Sequence, residues 1–171
     1  MSVDSIAIVG AGLAGLACAL RLRAAGRAVT LRDKGSVPGG RMATRRREDS
    51  SFDHGAQYFT VREPAFAAAV AAAAARGLAA TWAPRWPGGE QEARVLWVGA
   101  PGMAAFPAGL AEGLDLALRT RITALASEDG AWFLTDDLGH RRGPFGFVVL
   151  ALPAPQGAAL ASAATALAAR I

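Results

Sequence analysis

Three glycines and one carboxylate carry the most chemical information in this chain. Gly10, Gly12 and Gly15 lie in the run AIVGAGLAGLA, spaced G-x-G-x-x-G, directly after the apolar residues Ile6, Ala7, Ile8 and Val9. At that spacing the first glycine permits a tight turn and the second bares the backbone to a diphosphate. The third permits close packing of a helix on a strand. The helix opening there would aim its free N–H groups and positive dipole end at phosphate oxygens. Asp33 follows 23 residues after Gly10, at the end of the next apolar run. A carboxylate there can accept hydrogen bonds from ribose hydroxyls. Glycines alone are a weak signal, equally compatible with a merely glycine-rich turn. The order of strand, glycines, helix, strand and acid is a strong one.

These residues need a βαβ unit to position them. Residues 5–10 read as a short buried strand, and Leu13, Leu16 and Leu20 recur at helical spacing until Gly26 supplies a stop. Residues 28–32 read as a second, parallel strand reached by a right-handed crossover. Residues 34–44 then read as loop, with Pro38-Gly39-Gly40 as turn chemistry. FDHGAQYFT, residues 52–60, is aromatic and extended in pattern, and a helix follows with Pro64 in its first turn and Gly77 at its end. Residues 82–87 and 94–98 read as strands of a separate sheet region, because prolines and the Gly88-Gly89 turn suit edges and hairpins. A short helix over 103–112 leads to a strand at 115–119. Strands over 121–127, 131–135 and 140–142 then form a meander, with Asp129-Gly130 as its first turn. Residues 145–150 read as one further buried strand.

Composition narrows the function classes. The chain has 171 residues, 53% of them hydrophobic, enough for a folded domain with a core. Its formal charge is +4, yet Lys34 is its only lysine, and the arginines are scattered apart from Arg45-Arg46-Arg47. Without a basic stripe or an interleaved aromatic platform, no nucleic-acid partner is expected. Abundant Ala and Arg with little Lys is the habit of a GC-rich, bacterial-type genome. Cys18, the only cysteine, excludes an intrachain disulfide, and His54 and His140 have no metal-ligand spacing. No metal site is expected. No nucleophile-elbow pattern surrounds any serine, so no catalytic residue is assigned. The alanine-rich run at 65–75 is too short for a membrane span, and no basic region precedes an apolar core at the N-terminus. A cytoplasmic protein without membrane association is expected.

The pieces together resemble the renalase-like branch of the FAD-dependent amine oxidases. The matching segments are IAIVGAGLAGLACALRLRAAGRAVTLRDKG, PGGRMATRR, FDHGAQYFT, WVGAPGMAAFPAGLAEGL and FGFVVLALPAPQ. GGRMATRR and DHGAQYF are far more specific than the glycines. The resemblance implies an α/β fold: a Rossmann-like FAD-binding domain whose parallel sheet has a β-meander crossover, plus part of an inserted substrate domain. It implies a FAD-binding βαβ segment over 1–50, a partial substrate-domain insertion over 51–100, the FAD-binding domain continued over 101–156, and the start of a truncated substrate domain over 157–171. Family members continue for about as long again, so the chain resembles their N-terminal half.

The same resemblance implies FAD as cofactor. Gly10, Gly12, Ala14 and Gly15 would hold its pyrophosphate and Asp33 its adenosine ribose. Arg41 would lie on a phosphate or beside the flavin, Gln57 and Tyr58 against the ring, and Ile122 near the adenine through its backbone. Lys34, Gly40 and Met42 flank these positions and complete the cofactor-binding set. His54 is open between a polar wall of the site and a capping or solvent role. The implied activity is that of an oxidoreductase passing a hydride from a small-molecule substrate to flavin, with O2 as the acceptor that reoxidises it. The substrate would be a dihydronicotinamide dinucleotide or a small amine, and the residues do not choose between them. A non-catalytic nucleotide-binding fragment and an NAD(P)-dependent dehydrogenase domain are the rival readings. The GGR loop and the meander count against the second.

Overall fold

The computed structural model describes residues 4–84 and 94–162. In chain order its elements are β1 (Ile6–Val9), α1 (Leu13–Ala24), β2 (Val29–Arg32), a 3₁₀ turn (Gly40–Met42), β3 (Thr44–Arg47), β4 (Ser50–Asp53), α2 (Pro64–Ala75), β5 (Ala79–Trp82), β6 (Leu96–Gly99), α3 (Ala105–Ala111), β7 (Asp115–Ala117), β8 (Ile122–Glu128), β9 (Ala131–Asp136), β10 (Arg141–Phe145), β11 (Phe147–Leu150) and α4 (Ala154–Ser162). The chain divides into two compact units, residues 1–40 with 110–171, and residues 41–109.

The first unit is built on a parallel sheet in the order β11-β1-β2-β7. Strand β1 pairs with β2 from Ile6↔Val29 to Val9↔Arg32, and with β11 from Ile6↔Phe147 to Val9↔Leu150. Because side chains alternate across a strand, β1 feeds two cores. Ile6 and Ile8 pack with Leu16, Ala19 and Leu31 on the α1 side. Ala7 and Val9 pack with Ile122, Leu125, Leu134, Phe145 and Leu160 on the other. Helix α1 ends where Gly26 takes a φ of +74°. There Gly26 N–H donates to the Arg23 carbonyl at 2.9 Å and Arg27 N–H to the Leu22 carbonyl at 3.0 Å. Those two bonds are the Schellman stop that the glycine permits.

The antiparallel meander β10-β9-β8 covers the second face. Its first turn is the predicted Asp129-Gly130, with φ values of +50° and +77°. Its second turn is pinned by Asp136, whose side chain is buried. Oδ1 of Asp136 accepts the Leu138 and His140 amides at 3.0 and 2.8 Å, and Oδ2 lies 3.2 Å from His140 Nδ1. Burial opposes the charge on Asp136, but the bonds from the His140 and Leu138 amides and the His140 ring outweigh it and hold the carboxyl below its ordinary range.

One expected strand is really two. Residues 145–150 split at Gly146, whose N–H donates to the Ser5 carbonyl at 2.9 Å. Phe145 closes the meander, and Phe147 begins β11 in the other sheet. Strand β11 is also only half-buried, with Phe147 67% exposed, because it lies at the sheet's outer edge.

The second unit contains two antiparallel strand pairs, β3–β4 and β5–β6, with α2 and α3. Its core gathers Phe59, Phe66 and the fully buried Phe106, whose ring lies 5.2 Å from Phe59 and 6.0 Å from Phe66. Helix α2 has Pro64 in its first turn and Gly77 at φ +72° beyond its end, as the sequence predicts. Three expectations are corrected here. The stretch expected to be loop up to Thr44 contains the 3₁₀ turn, and Thr44 already belongs to β3. The strand expected over 82–87 runs over Ala79–Trp82 instead, and residues 85–87 lie outside the described residues. The extended reading of 52–60 holds only at its ends. Strand β4 stops at Asp53, and pairing resumes as a single bridge between Phe59 and Trp97.

Candidate functional site

In the first unit, β1 runs into the glycine turn and α1 leads out of it. Gly10 has a φ of +110°, and a Cβ on it would lie 2.4 Å from the Ala151 carbonyl oxygen. A Cβ on Gly15 would lie 1.9 Å from the Gly10 carbonyl oxygen. Conformation and packing therefore demand glycine at the first and third positions. Gly12 differs. Its φ and ψ are −71° and 174°, extended backbone open to any residue. The nearest atom to a Cβ there is Gly40 Cα at 4.0 Å. The protein itself makes no demand for glycine at this position, since a Cβ there would meet only Gly40 Cα, at 4.0 Å.

Gly12 is the N-cap of α1, with no side-chain cap bond and no acidic residue in the first turn. Leu16 N–H starts the helical ladder on the Gly12 carbonyl at 3.0 Å. The amides of Leu13, Ala14 and Gly15 are therefore the helix's spare donors, and no acidic side chain of its own first turn occupies them. That is the donor set a diphosphate needs.

Asp33 stands beside this turn, just past β2. Its Oδ2 accepts the Ala11 amide and its Oδ1 the Gly35 amide, each at 2.6 Å. Gly39 N–H donates to the Ala11 carbonyl at 2.9 Å, and Gly39 forms a parallel bridge with Gly12. Gly40, at φ +54°, comes so close that a Cβ on it would lie 3.2 Å from Gly12 Cα. Gly10, Gly12, Ala14, Gly15, Asp33 and Gly40 are thus gathered around one turn. Lys34 is exposed and donates to Gln156 Oε1 at 3.1 Å. Ile122 buries its side chain in the meander core, so any ligand contact from it would come from the backbone of edge strand β8.

Arg41, Met42, Gln57 and Tyr58 belong to the second unit. The two specific motifs meet there. Ala56 N–H donates to the Arg41 carbonyl at 2.7 Å, and a Cβ on Gly55 would fall 2.0 Å from that same oxygen. Glycine at 55 is what lets DHGAQYF lie against GGRM. Arg41, His54 and Gln57 are exposed and Met42 is buried. Tyr58 is 40% exposed, with its ring 6.1 Å from that of Trp82. Asp53 Oδ1 accepts the Thr44 hydroxyl at 2.5 Å and the Met103 amide at 3.0 Å, which ties β3 and β4 to the approach of α3.

Sequence reasoning missed Ala11, Gly39, Gln156 and Trp82. Gly39 carried a signal as the middle of Pro-Gly-Gly. The other three act through a backbone amide, a distant partner and a ring contact that no local pattern marks. Among the described residues no group of three or more His, Cys, Asp or Glu side chains could hold a metal ion. No described helix is long and apolar enough to cross a membrane.

Residues 8–72 match the NAD(P)-binding Rossmann-like domain family. In solved structures, a cofactor-binding redesign variant of putrescine oxidase aligns over 91% of this chain and 59% of its own, with a TM-score of 0.69 and 15% identity. The fold is Rossmann-like, built on a parallel sheet, and is shared with this oxidase structure. A flavin monooxygenase from Stenotrophomonas maltophilia aligns over 86% of this chain and 38% of its own, with a TM-score of 0.52 and 17% identity. Two curated relatives match shorter stretches. Phytoene dehydrogenase of Streptomyces griseus is 62% identical over 39 residues, which are 23% of this chain and 8% of that protein. Hydroxyneurosporene desaturase of Cereibacter sphaeroides is 44% identical over 61 residues, 36% of this chain and 12% of that protein. The chain therefore spans under two thirds of the length of each of these relatives.

Proposed function

We propose that this chain is the FAD-binding portion of a flavin-dependent oxidoreductase of the renalase-like type, working in the cytoplasm. The observation that carries the reading is Gly12, glycine where neither φ nor packing requires it, at the mouth of an uncapped helix. Room around a Cβ at Gly12, beside the spare amides of the first helical turn, suits a diphosphate. The kinship with desaturases and the fold of an amine oxidase favour a flavin dinucleotide as the molecule that carries it.

In this reading Gly10, Gly12, Ala14 and Gly15 present backbone amides to the diphosphate, and Asp33 offers its remaining acceptor sites to the adenosine ribose. Gly40 keeps the opposite wall slim, and Lys34 places a cation close by. Ile122 offers edge-strand backbone to the adenine. Exposed Arg41 and Gln57 and half-exposed Tyr58 are the groups we assign to the phosphate or flavin end, with Met42 buried next to Arg41, since a forked guanidinium and an aromatic ring suit an anion and a flat heterocycle. FAD, if bound, would supply the redox chemistry, that of a hydride acceptor with O2 as the proposed final oxidant. The protein's part is to bind, orient and exclude water. We further propose a dihydronicotinamide dinucleotide as the hydride donor, with a small amine as the alternative.

A second reading is a nucleotide-binding module without turnover. An absorption spectrum of the purified protein separates the two. Flavin bands that bleach under nitrogen on adding a dihydronicotinamide support the enzyme. Flavin bands that no donor bleaches favour the module, and a colourless protein that gains nothing from added FAD contradicts both.

A further inference from the structure

We propose that Asp33 is a positioning residue for the diphosphate cradle, acting on its two walls before any sugar arrives. The inference rests on the diphosphate reading above and goes beyond it, because a ribose-binding role requires none of the bonds that carry it.

Both Asp33 carboxylate oxygens accept short backbone bonds, Oδ2 from Ala11 N–H and Oδ1 from Gly35 N–H, each at 2.6 Å. Ala11 lies within the glycine turn, one residue before Gly12. Gly35 begins the stretch that ends at Gly39 and Gly40. That stretch returns to the turn through Gly39 N–H on the Ala11 carbonyl at 2.9 Å. The Ala11 residue is thus held at its amide by Asp33 and at its carbonyl by Gly39. Asp33 is itself fixed by its own N–H on the Ala117 carbonyl at 3.0 Å and by Thr120 N–H on its carbonyl at 2.8 Å. One carboxylate, anchored on β7 and the loop after it, therefore fastens both segments that flank Gly12.

The chemistry of the side chain matters here. Both contacts are N–H donors, so both side-chain atoms must accept. Asn at this position would turn an NH2 group toward one of the two amides, and one bond would be lost. Each carboxylate oxygen keeps a second acceptor site, so a ribose hydroxyl can bind without displacing either amide. The two roles coexist and are separable by experiment.

The test uses the whole chain labelled with nitrogen-15, as wild type, Asp33→Asn and Asp33→Ala. The probes are inorganic pyrophosphate, which has no sugar, and FAD. Asp33→Asn is expected to lose pyrophosphate affinity by about tenfold, the cost of disturbing one charge-assisted contact. In the ligand-free protein, amide exchange should quicken at Ala11, Gly35 and Gly39 but not across β1 and β2. Pyrophosphate affinity equal to wild type, alongside weakened FAD binding, would overturn the proposal and leave Asp33 as a sugar contact alone. Unchanged exchange at Ala11 and Gly35 in either variant would overturn it as well. If wild-type amides at Leu13, Ala14 and Gly15 failed to respond to pyrophosphate, the diphosphate reading would fall and take this proposal with it.

Discussion

Replacing Gly12 by Ala should separate stability from binding. The residue already has the extended backbone that alanine adopts freely, and its Cβ would have 4.0 Å of clearance to Gly40 Cα. Fewer unfolded conformations favour the variant by about 0.4–1 kcal/mol. Alanine is a poorer N-cap than glycine, which costs a few tenths to about 1 kcal/mol. These terms oppose each other, so the apo protein should unfold within about 1 kcal/mol of wild type. Binding should fare differently, since on the proposed reading the methyl group would stand where the diphosphate meets the amides of the first turn. Losing one charge-assisted bond costs roughly 1.5–3 kcal/mol, which weakens FAD on the order of 10- to 100-fold. Gly15→Ala is the contrasting case. Its Cβ would sit 1.9 Å from the Gly10 carbonyl oxygen, forcing β1 and α1 apart. Overpacking of that kind costs about 1–3 kcal/mol or more, so this variant should lose stability first. Denaturant unfolding of the apo proteins and flavin-fluorescence titration measure the two quantities. The reasoning is refuted if Gly12→Ala binds FAD as wild type does, or if it unfolds as readily as Gly15→Ala.

Three further outcomes are expected. Asp136 has its pKa lowered from 3.8, so its ionised form is favoured by folding. Wild type should exceed Asp136→Asn in stability above pH 3.8, and the difference should shrink as pH falls through the lower folded-state value; a difference that does not change between neutral and acidic pH would contradict the assignment. Arg32 is largely buried, with a Nε that has no hydrogen-bond partner among the described residues and a 3.7 Å pairing to exposed Asp115. Arg32→Met should therefore leave Tm unchanged or raise it, since the desolvation of the guanidinium is poorly compensated. Phe106→Ala removes a fully buried ring that packs on Phe59 and Phe66, and should cost about 3–5 kcal/mol in denaturant unfolding. A loss under about 1 kcal/mol would show that these rings do not hold the second unit together.

The parts of the fold that local chemistry dictates were readable from the residues. Gly26 and Gly77 ended helices because only glycine takes their positive φ cheaply, and Asp129-Gly130 turned a hairpin for the same reason. The β1–α1–β2 unit followed from an apolar strand, a glycine turn and leucines at helical spacing. What failed to show was decided by partners distant in sequence. Phe145 and Phe147 look like one strand, but a bond from Gly146 to Ser5 passes the chain from one sheet to another. Strands β3 and β4 have exposed residues on both faces, so no apolar alternation announces them, and Arg45-Arg46-Arg47 reads only as charge. Ala79 and Ala80 are weak strand formers, held as β5 by pairing with Gly99 and Val98. At the site, the glycine spacing marked the turn, but the dual backbone role of Asp33 depends on Ala11 and Gly35 being brought to it by folding.

The most direct test of the central claim is a titration of the labelled wild-type chain with FAD, followed amide by amide. Saturable shifts concentrated at Ala11, Gly12, Leu13, Ala14 and Gly15 are expected, with a stoichiometry of one FAD per chain. Binding that leaves these amides unmoved and perturbs only other surfaces would contradict a diphosphate held at the mouth of α1.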